Sequence, residues 1–389
     1  MDKVRVGVIG VGGMGSGHLA YLNSVDGAVL GAVCDVVPAV AKSRGEQHGV
    51  PYYVDYRQLL DSGKVDMVII ATPHYFHPGI TREAFARGLH VLCEKPVAVG
   101  VKEARLTNEL YQSRYSQLKF GAMFQARTNP LNRKVRELIA DGELGEIFRM
   151  TWIATDWFRT WTYYASGGWR ATWRGEGGGV LLNQCPHNLD QIQWLFGGAM
   201  PNRVTAVASI AKRHPIEVED EVSAILEYPN GMVGHFITTT GEAPGTNRLE
   251  IAGERGRLVV EGGKIRFLRT RKNVSEVLQN SPESFATVET WDCEIPVRGS
   301  GESHKMITQN FVNAILKDEE LIAPGVDGVK GLELGNAIMM AGLTRTPVDL
   351  PVDGAAFEAF LEDMAMKYGG KKTLAPREAV VNMEASFKH

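Results

Sequence analysis

An acid, a base and a proline follow directly on a short apolar segment, and these residue types are suited to binding and acid–base chemistry. Residues 90–93 have the composition of a buried strand, and Glu94, Lys95 and Pro96 come next. In an open parallel sheet, ligands bind at the carboxyl ends of the strands. Glu94 could therefore accept from a ribose hydroxyl, while Lys95 could hold a substrate hydroxyl and stabilise its alkoxide. A surface ion pair after an ordinary strand is the alternative interpretation.

A glycine pattern follows the first apolar segment, residues 4–9, and is typical of dinucleotide binding. It matches G-x-G-x-x-G and consists of Gly10, Val11, Gly12, Gly13, Met14 and Gly15. The first glycine permits a tight turn, the second lets the backbone approach a pyrophosphate, and the third lets the next helix pack closely. That helix, predicted over 14–24, offers its N-terminus to the phosphates.

Asp35 ends the second apolar segment, residues 28–34, and lies twenty residues after Gly15. An acid at this spacing binds the adenosine ribose in dinucleotide-binding folds. Because a carboxylate repels a 2′-phosphate, we expect NAD as the cofactor in preference to NADP. Arg44, on a helix predicted over 38–48, is a nearby cation that could favour the phosphate instead.

The composition excludes several classes of function. The 389 residues suit two domains, and a net charge of −3 with a pI near 6.4 offers no basic surface for nucleic acid. The four cysteines form no C-x-x-C pair, so neither a zinc site nor a disulfide framework is predicted. Neither a signal peptide nor an apolar run that could span a membrane is recognisable. We therefore expect a reduced cytoplasmic protein with no metal and no membrane or nucleic-acid partner.

Strands and helices alternate through the first third of the chain. Apolar segments at 67–71, 90–93 and 119–123 predict further strands, and helices are predicted between them. This alternation is typical of an α/β fold with a doubly wound parallel sheet. We expect a dinucleotide-binding Rossmann domain over residues 1–123.

The remainder of the chain has a different pattern. Short alternating segments over 204–268, separated by hairpin-like turns, predict a large and mostly antiparallel open sheet. An α+β domain over 124–389 is expected to bind substrate and to form oligomers, and its C-terminal helices could pack back on the first domain. The acidic run at 217–221 is expected to be solvated, and residues 274–287 to be a variable loop. The tail after Tyr368 is unassigned.

A segment rich in tryptophan and arginine lies between residues 152 and 174. Aromatic faces offer apolar platforms for sugar C–H groups, and arginines offer planar donors for hydroxyls or an anion. The candidate substrate-binding side chains in this segment are Trp157, Arg159, Trp161, Tyr163, Arg170 and Trp173. A subunit interface, which is also rich in these residue types, is the alternative.

Asn183, His187 and Asp190 follow a run of three glycines at 177–179. They fall at i, i+4 and i+7, so a helix would present them on one face. An imidazole in a polar stripe behind a glycine turn suits a general base, with Asn183 and Asp190 as substrate contacts. A histidine that is merely hydrogen-bonded within the fold is the alternative.

Several of these motifs together resemble the Gfo/Idh/MocA family of oxidoreductases. They are the glycine pattern, Asp35, Ala71-Thr72-Pro73 with His77, and Glu94-Lys95-Pro96. The resemblance implies a cofactor site formed by these motifs. In addition to the glycine pattern and Asp35, its implied residues are Thr72, Pro73, His74, His77, Glu94 and Lys95.

The resemblance also implies catalytic roles for Lys95 and His187, and a homodimer or homotetramer formed through the C-terminal sheet. Two positions depart from the family pattern. His74 stands where Asn is common, and Asn183 replaces an Asp, so position 183 carries over only as a hydrogen-bonding role. Ligation of a metal by His74 and His77 is disfavoured because no carboxylate or cysteine with ligand spacing is nearby.

We therefore expect an NAD-dependent oxidoreductase that acts on a secondary hydroxyl of a sugar, glycoside or cyclitol. Lys95 would polarise the hydroxyl, and His187 would accept its proton as hydride passes to nicotinamide. Two alternatives stay open: cleavage of a glycoside through transient oxidation and elimination, with NAD recycled, and a sugar-sensing protein without catalysis. The acid–base pair disfavours the sensor.

Overall fold

Short parallel strands with connecting helices form the first sheet. The computed structural model describes residues 2–299, 301 and 303–375, and the end of the unassigned tail, 376–389, lies outside the described residues. The strands are β1 (Val4–Ile9), β2 (Ala28–Cys34), β3 (Tyr52–Tyr53), β4 (Met67–Ile70), β5 (His90–Cys93) and β6 (Phe120–Ala122). The helices are α1 (Gly13–Leu22), α2 (Pro38–His48), α3 (Tyr56–Leu60), α4 (His77–Ala86) and α5 (Val101–Arg114). The order β3-β2-β1-β4-β5-β6, with parallel pairing throughout, confirms the predicted Rossmann architecture.

A second, larger sheet follows. Its strands are β7 (Ile147–Ala154), β8 (Arg203–Ile210), β9 (Glu219–Glu227), β10 (Val233–Thr239), β11 (Asn247–Gly253), β12 (Gly256–Glu261), β13 (Lys264–Thr270), β14 (Thr290–Ile295) and β15 (Val348–Asp349). The helices are α6 (Pro130–Ala140), α7 (Trp161–Ala165), α8 (Pro186–Trp194), α9 (Val274–Asn280), α10 (His304–Lys317), α11 (Gly328–Thr344) and α12 (Gly354–Tyr368). The order is β14-β13-β12-β11-β7-β10-β9-β8-β15. Among the described strands of this second sheet, only β7 and β10 pair in parallel. The predicted open, mostly antiparallel sheet is confirmed, and no described helix is long and apolar enough to cross a bilayer.

The two sheets are buried differently, as their sequences predict. Every residue of β4 is buried, because helices cover both faces of a parallel sheet. Along β9, buried and exposed residues alternate over 222–227, so one face packs inward. The helix α11 packs on that inner face against β8 and β9, while side chains of the other face stay exposed.

C-terminal helices pack against the first part of the chain. Asn336, fully buried in α11, accepts from the N–H of Val101 and donates to the carbonyl of Val99, both at 3.0 Å. The hydroxyls of Tyr21 in α1 and Thr308 in α10 lie 2.8 Å apart. These buried bonds hold the helices of the second part against those of the first.

A buried ion pair anchors α8. Two guanidinium nitrogens of Arg127 donate to the two oxygens of Asp190 at 2.8 and 2.6 Å, and a third donates to Asp327 at 3.0 Å. Arg127 and Asp190 are both almost fully buried. Removing one partner of such a pair typically costs about 3–5 kcal/mol, because the other charge is left buried and unpaired. The start of α8, with His187, is therefore held in a fixed position.

Several expectations about local structure are wrong. The helix that carries His187 begins at Pro186, so Asn183 lies in the preceding turn and not on the helix face. Proline is favoured at the first helical position because its missing N–H has no intrahelical partner there. The stretch 274–287 contains α9, which Asn273 caps by accepting from two backbone N–H groups. The sequence patterns predict no helix or strand where β3, α3 and β14 lie.

The acidic run at 217–221 is also wrongly expected to be solvated. Glu219 and Asp220 are fully buried. Asp220 accepts from the backbone N–H groups of residues 212–214 at 2.8 to 3.0 Å, and Glu219 accepts from that of Gly179 at 2.8 Å. Backbone donors thus offset the cost of burying these carboxyls, although burial still raises the pKa of Glu219 to about 7. Glu219 fixes the glycine turn that precedes α8.

Candidate active site

The glycine turn after β1 has the shape that a dinucleotide needs. Gly10 has φ +85°, and a Cβ there would lie 2.6 Å from the carbonyl oxygen of Ala71. A Cβ on Gly15 would lie 1.8 Å from the carbonyl oxygen of Gly10, so α1 packs directly on the turn. Gly12 and Gly13 have no described atom within 4 Å of a built Cβ, so the backbone there is open to a ligand.

Asp35 lies beside this turn, at the end of β2. Its two oxygens accept from the backbone N–H groups of Val11 and Val37, both at 3.0 Å. Arg44 on α2 donates to Gln47 at 2.8 Å. The carboxylate is thus oriented by the glycine turn itself, at the position from which an acid reaches a ribose.

The segment after β4 forms a second wall of this region. Thr72 has a buried hydroxyl without a hydrogen-bond partner among the described residues, and Pro73 begins the following turn. The ring nitrogens of His77 lie 2.7 Å from the carbonyl oxygens of Pro96 and Thr72, so backbone oxygens engage the whole imidazole. The Lys95–Pro96 peptide bond is cis. Met14, in the first turn of α1, is half-buried.

His74 lies between the cofactor region and the aromatic segment. It is buried, its Nδ1 lies 3.1 Å from the carbonyl oxygen of Glu176, and its ring meets that of Trp169 edge-on at 5.7 Å. Burial, with the nearby charges of His77 and Lys95, holds the pKa of His74 well below its ordinary value. No group of three potential metal ligands occurs among the described side chains.

The carboxylate of Glu94 is occupied by protein groups. His18 Nε2 donates to Oε1 at 2.8 Å, the Lys95 N–H donates to Oε2 at 3.2 Å, and His304 Nε2 lies 4.0 Å from Oε1. Burial alone would raise the pKa of Glu94, but the bond from His18 and the nearby charges hold it at about 2. Burial lowers the pKa of His304 to about 4. Glu94 is therefore ionised, and its carboxylate is fixed by His18 and by the backbone of Lys95.

Lys95 reaches across to the second part of the chain. Its half-buried side chain donates from Nζ to the carbonyl oxygen of Asn183 at 2.9 Å. Burial lowers the pKa of Lys95, while the charges of Glu94 and Glu176 oppose the shift. The ammonium bonds to a neutral acceptor and keeps donors for a ligand oxygen.

His187 is the second residue of α8, and it lies close enough to Lys95 for that charge to act on the imidazole. Burial lowers the pKa of His187 well below its ordinary value, and Lys95 and His304 lower it further. Its Nε2 lies 3.0 Å from the amide of Gln125, and its buried Nδ1 has no partner among the described residues. The imidazole is therefore neutral near pH 7 and can accept a proton.

Asn183 is the centre of a hydrogen-bond network. Its Oδ1 accepts from Tyr163 at 2.9 Å and from Gln184 at 3.0 Å, and its Nδ2 donates to Glu176. Glu176 is buried, and its other oxygen accepts from the N–H of Ala171 at 2.5 Å. Burial raises the pKa of Glu176. A carboxyl group therefore does lie beside position 183, where the family pattern has Asp, but Glu176 supplies it.

The remaining predicted side chains divide into two groups. Tyr163, Arg159 and Arg170 lie together next to Asn183, and both guanidinium groups cover the ring of Tyr163. Trp157 is half-buried, with its Nε1 3.3 Å from Asn188 Oδ1. Two others lie apart: Trp161 is half-exposed with its Nε1 bonded to the backbone of the 212–214 turn, and Trp173 is 1% exposed in the core. Asp190 is engaged by its ion pair, so neither it nor Trp173 presents a free face to a ligand.

Several contributors are not singled out by the sequence patterns. Glu176 carries a weak signal, because it is an acid directly before three glycines. Gln125, His18 and His304 carry none, since each reaches the site from a segment far away in the chain. Arg127 likewise carries no local signal, and its contribution is recognised only from its ion pair with Asp190 in the folded structure.

This fold and site define a class, a two-part oxidoreductase with a dinucleotide-binding first sheet. Residues 4–121 match the model of an oxidoreductase family with an NAD-binding Rossmann fold, and residues 132–259 match that of the GFO/IDH/MocA C-terminal domain. Together the two matches cover more than half of the chain. The chain belongs to the Gfo/Idh/MocA family of oxidoreductases.

Relatives of known activity match nearly the whole chain. Levoglucosan dehydrogenase of Pseudarthrobacter phenanthrenivorans is 25% identical over 90% of this chain and 99% of its own. Inositol 2-dehydrogenase of Rhizobium meliloti is 25% identical over 89% of this chain and 99% of its own. The crystal structure of the WlbA dehydrogenase from Bordetella pertussis, in complex with NADH and UDP-GlcNAcA, has a TM-score of 0.74 and 25% identity, covering 90% of this chain and 100% of that chain.

The contact between Asn183 and Glu176 predicts a pH-dependent stability defect in Asn183→Asp. Two carboxyls would then face each other and hold one proton between them, which raises a folded-state pKa above the unfolded value of about 4. Stability that depends on that proton is present below about pH 4 and is lost as the pH rises through the raised pKa. We expect a loss of about 1–3 kcal/mol at pH 8 and a smaller loss at pH 5. Thermal unfolding of variant and native protein at both pH values measures it.

The double variant Asn183→Asp/Glu176→Gln is the matched control. An amide at position 176 can donate to the new carboxylate, so the hydrogen bond is restored with its direction reversed. The pH-dependent part of the defect should then disappear. An equal loss at pH 5 and pH 8 in the single variant would mean that the two side chains do not face each other.

Proposed function

We propose that this chain oxidises a secondary hydroxyl of a sugar, glycoside or cyclitol, with NAD as the hydride acceptor. The observation that carries the proposal is the convergence of Lys95 and His187. The ammonium of Lys95 is bonded to the carbonyl of Asn183, four residues before His187, and its charge acts on the imidazole. A group that can polarise a hydroxyl thus lies near a neutral base that can accept its proton.

The proposed roles follow from the hydrogen bonds. Lys95 binds the substrate oxygen and stabilises the negative charge that develops as the proton leaves. The amide nitrogen of Gln125 donates to Nε2 of His187 at 3.0 Å, so the neutral ring carries its proton on Nδ1. The Nε2 lone pair is then the one that accepts the substrate proton, once a substrate hydroxyl takes the place of the amide. When bound, the nicotinamide ring supplies the hydride acceptor.

The residues of the first sheet fit an NAD molecule. The open backbone at Gly12 and Gly13, at the start of α1, can receive the pyrophosphate. The unpartnered hydroxyl of Thr72 offers a donor and an acceptor to a ligand. Asp35 is followed by Val36 and Val37, exposed side chains that bring no positive charge for a 2′-phosphate. These features support NAD over NADP.

A polyhydroxylated substrate is supported by the aromatic segment and by the relatives. Trp157, Tyr163 and Trp169 are half-buried beside the Lys95 edge, where ring faces can pack on sugar C–H groups. The names of the levoglucosan and inositol dehydrogenases point to the same substrate class. Trp173 and Asp190 are left out of the proposed contacts because both are buried and engaged within the protein.

We further propose a homodimer or homotetramer formed through the open face of the second sheet. Val207 is 53% exposed and Ile225 is 43% exposed on neighbouring strands of that face, and the half-buried Ile237 extends the apolar strip. Apolar surface in the middle of a broad sheet is typical of an obligate interface.

A reducing compartment, the cytoplasm, is the proposed location. The cysteines Cys34, Cys93, Cys185 and Cys293 are all free thiols. Three of them are buried, so they pack as small apolar side chains. Free thiols are the usual state in reducing compartments.

The test of the proposed activity is NADH formation with a panel of sugars, glycosides and cyclitols, followed by absorbance. Lys95→Met keeps most of the side-chain length but removes the charge. We expect turnover to fall by about 100-fold or more, because the charge acts on the developing alkoxide, while NAD binding changes little. Near-native turnover in Lys95→Met would sink the catalytic assignment. Release of an aglycone without net NADH would favour glycoside cleavage instead.

Cofactor choice is tested at Asp35. Native protein should use NAD more efficiently than NADP, and Asp35→Ser should shift the ratio of kcat/KM toward NADP by about tenfold, equivalent to about 1.4 kcal/mol. Arg44→Met is the comparison variant and should leave the ratio unchanged. Equal use of both cofactors by the native protein would show that Asp35 does not select between them.

The proposed interface is tested by Ile225→Glu on the open sheet face. A buried unpaired carboxylate should dissociate the oligomer, as measured by sedimentation velocity, with the circular dichroism spectrum unchanged. Leu278→Glu, an exposed apolar position on α9 outside the sheet, is the matched control and should keep the native assembly. A native oligomer in Ile225→Glu would place the contact elsewhere.

A further inference from the structure

We propose that the substrate carries an anionic group, a carboxylate or a phosphate, and that Arg159 and Arg170 bind it beside Lys95. The inference rests on the proposed oxidoreductase function and deepens it, because it names the substrate class as an anionic sugar or cyclitol. It is carried by the arrangement of three cations around one tyrosine and one asparagine.

Both arginines cover the ring of Tyr163. The Cζ atom of Arg159 lies 5.3 Å from the ring centroid and that of Arg170 lies 4.8 Å from it. Arg159 also covers Trp157 at 5.6 Å, and Arg170 covers Trp169 at 4.7 Å. Guanidinium groups held by aromatic faces keep in-plane N–H donors for a ligand, and these match the planar oxygens of a carboxylate or phosphate.

A chain of hydrogen bonds connects this pair to the catalytic edge. Arg170 Nη1 donates to the Tyr163 hydroxyl at 3.0 Å, and that hydroxyl donates to Asn183 Oδ1 at 2.9 Å. The backbone carbonyl of Asn183 accepts from Lys95 at 2.9 Å. Burial lowers the pKa of Lys95, the charges of Glu94 and Glu176 oppose this shift, and those of Arg170 and Arg159 add to it, so the two arginines are close enough to Lys95 to act on its charge.

Within the described ranges, the two arginines lack an ion pair of the kind that holds the other arginine of this segment. In the part of the chain that the structure describes, neither Arg159 nor Arg170 forms an ion pair, whereas Arg174 in the same segment pairs with Glu362 at 2.7 Å. The buried carboxyl of Glu176 is engaged by Asn183 and a backbone N–H, and burial raises its pKa. Two guanidinium groups without an ion-pair partner among the described residues, beside an ammonium, favour a ligand that brings negative charge.

The experiment compares substrates that differ in one group: D-glucose with D-glucuronate and D-glucose 6-phosphate, and D-galactose with D-galacturonate. For the native protein, kcat/KM should be about tenfold or more higher for an anionic member than for its neutral match, mainly through KM. A carboxylate preference and a phosphate preference both support the proposal and identify the group. Equal or better efficiency with the neutral sugars overturns it and leaves the proposed oxidoreductase function intact.

Three variants of the arginines, with one control, sharpen the test. Arg159→Met and Arg170→Met should each remove most of the anion preference, read as the ratio of kcat/KM for an anionic sugar to that for its neutral match, because charge-assisted hydrogen bonds to the anion are lost. Arg170→Lys keeps the charge without the planar fork and should retain part of the preference. Arg174→Met, which removes an exposed, paired charge from the same segment, should behave as the native protein. A preference that survives both Met changes overturns the assignment.

A binding measurement separates failure of this proposal from failure of the proposed function. If none of these sugars yields NADH, titration of D-glucuronate, D-glucose 6-phosphate and D-glucose into the NADH-loaded protein is followed by calorimetry. Binding of an anionic sugar that Arg159→Met and Arg170→Met abolish supports the anion site, even though the proposed oxidation has then failed for these substrates. Absence of any difference between anionic and neutral sugars overturns the anion site.

Discussion

The hydrogen bond from Lys95 to the carbonyl oxygen of Asn183, at 2.9 Å, joins the two parts of the site, and the other features depend on it. Lys95 follows β5 in the first sheet, whereas Asn183 lies in the turn before α8. Because the acceptor is a neutral carbonyl, the ammonium is positioned without being neutralised, whereas a carboxylate would hold it in an ion pair. The turn that supplies the carbonyl is itself held by Glu219, which accepts from Gly179. Backbone geometry thus sets the position of the charge, and the charge stays available for the alkoxide of the proposed reaction.

Burial is the largest cause of the pKa shifts of the ionisable groups around this bond. It lowers the pKa of His187, so the imidazole is neutral near pH 7, and it raises the pKa of the nearby Glu176 carboxyl. Glu94 is the exception, since the bond from His18 outweighs burial and keeps it ionised. Glu94 is bonded to His18 and to the N–H of Lys95. Glu176 is bonded instead to Asn183 and to the N–H of Ala171, so the two acids lie in different surroundings.

Local patterns made the first sheet predictable, and long-range contacts limited the prediction of the site. The apolar run of β2 and Asp35 after it need only local sequence, and β2 lies at the predicted residues. Asn183 was expected on a helix because its spacing to His187 fits one, but Pro186 starts the helix later. The acidic run at 217–221 has the composition of exposed surface. The backbone N–H groups that bond to its buried carboxylates come from other segments, so the run itself does not reveal them. Likewise, no local signal reveals that Gln125 would contact His187.

The segment that contacts the substrate in the proposed site is held by elements that take no part in cofactor binding. Arg174 pairs with Glu362 of α12, and Lys372 donates to the carbonyl oxygen of Arg170 at 2.8 Å. Trp173 supplies a buried anchor against Phe360, which explains why a tryptophan in this segment faces inward. The arginines and aromatic rings are therefore positioned from the C-terminal side, while Lys95 is positioned from the first sheet. The proposed substrate contacts and Lys95 are thus positioned from different parts of the chain, and Asn183 links the two, since its side chain accepts from Tyr163 and its carbonyl oxygen accepts from Lys95.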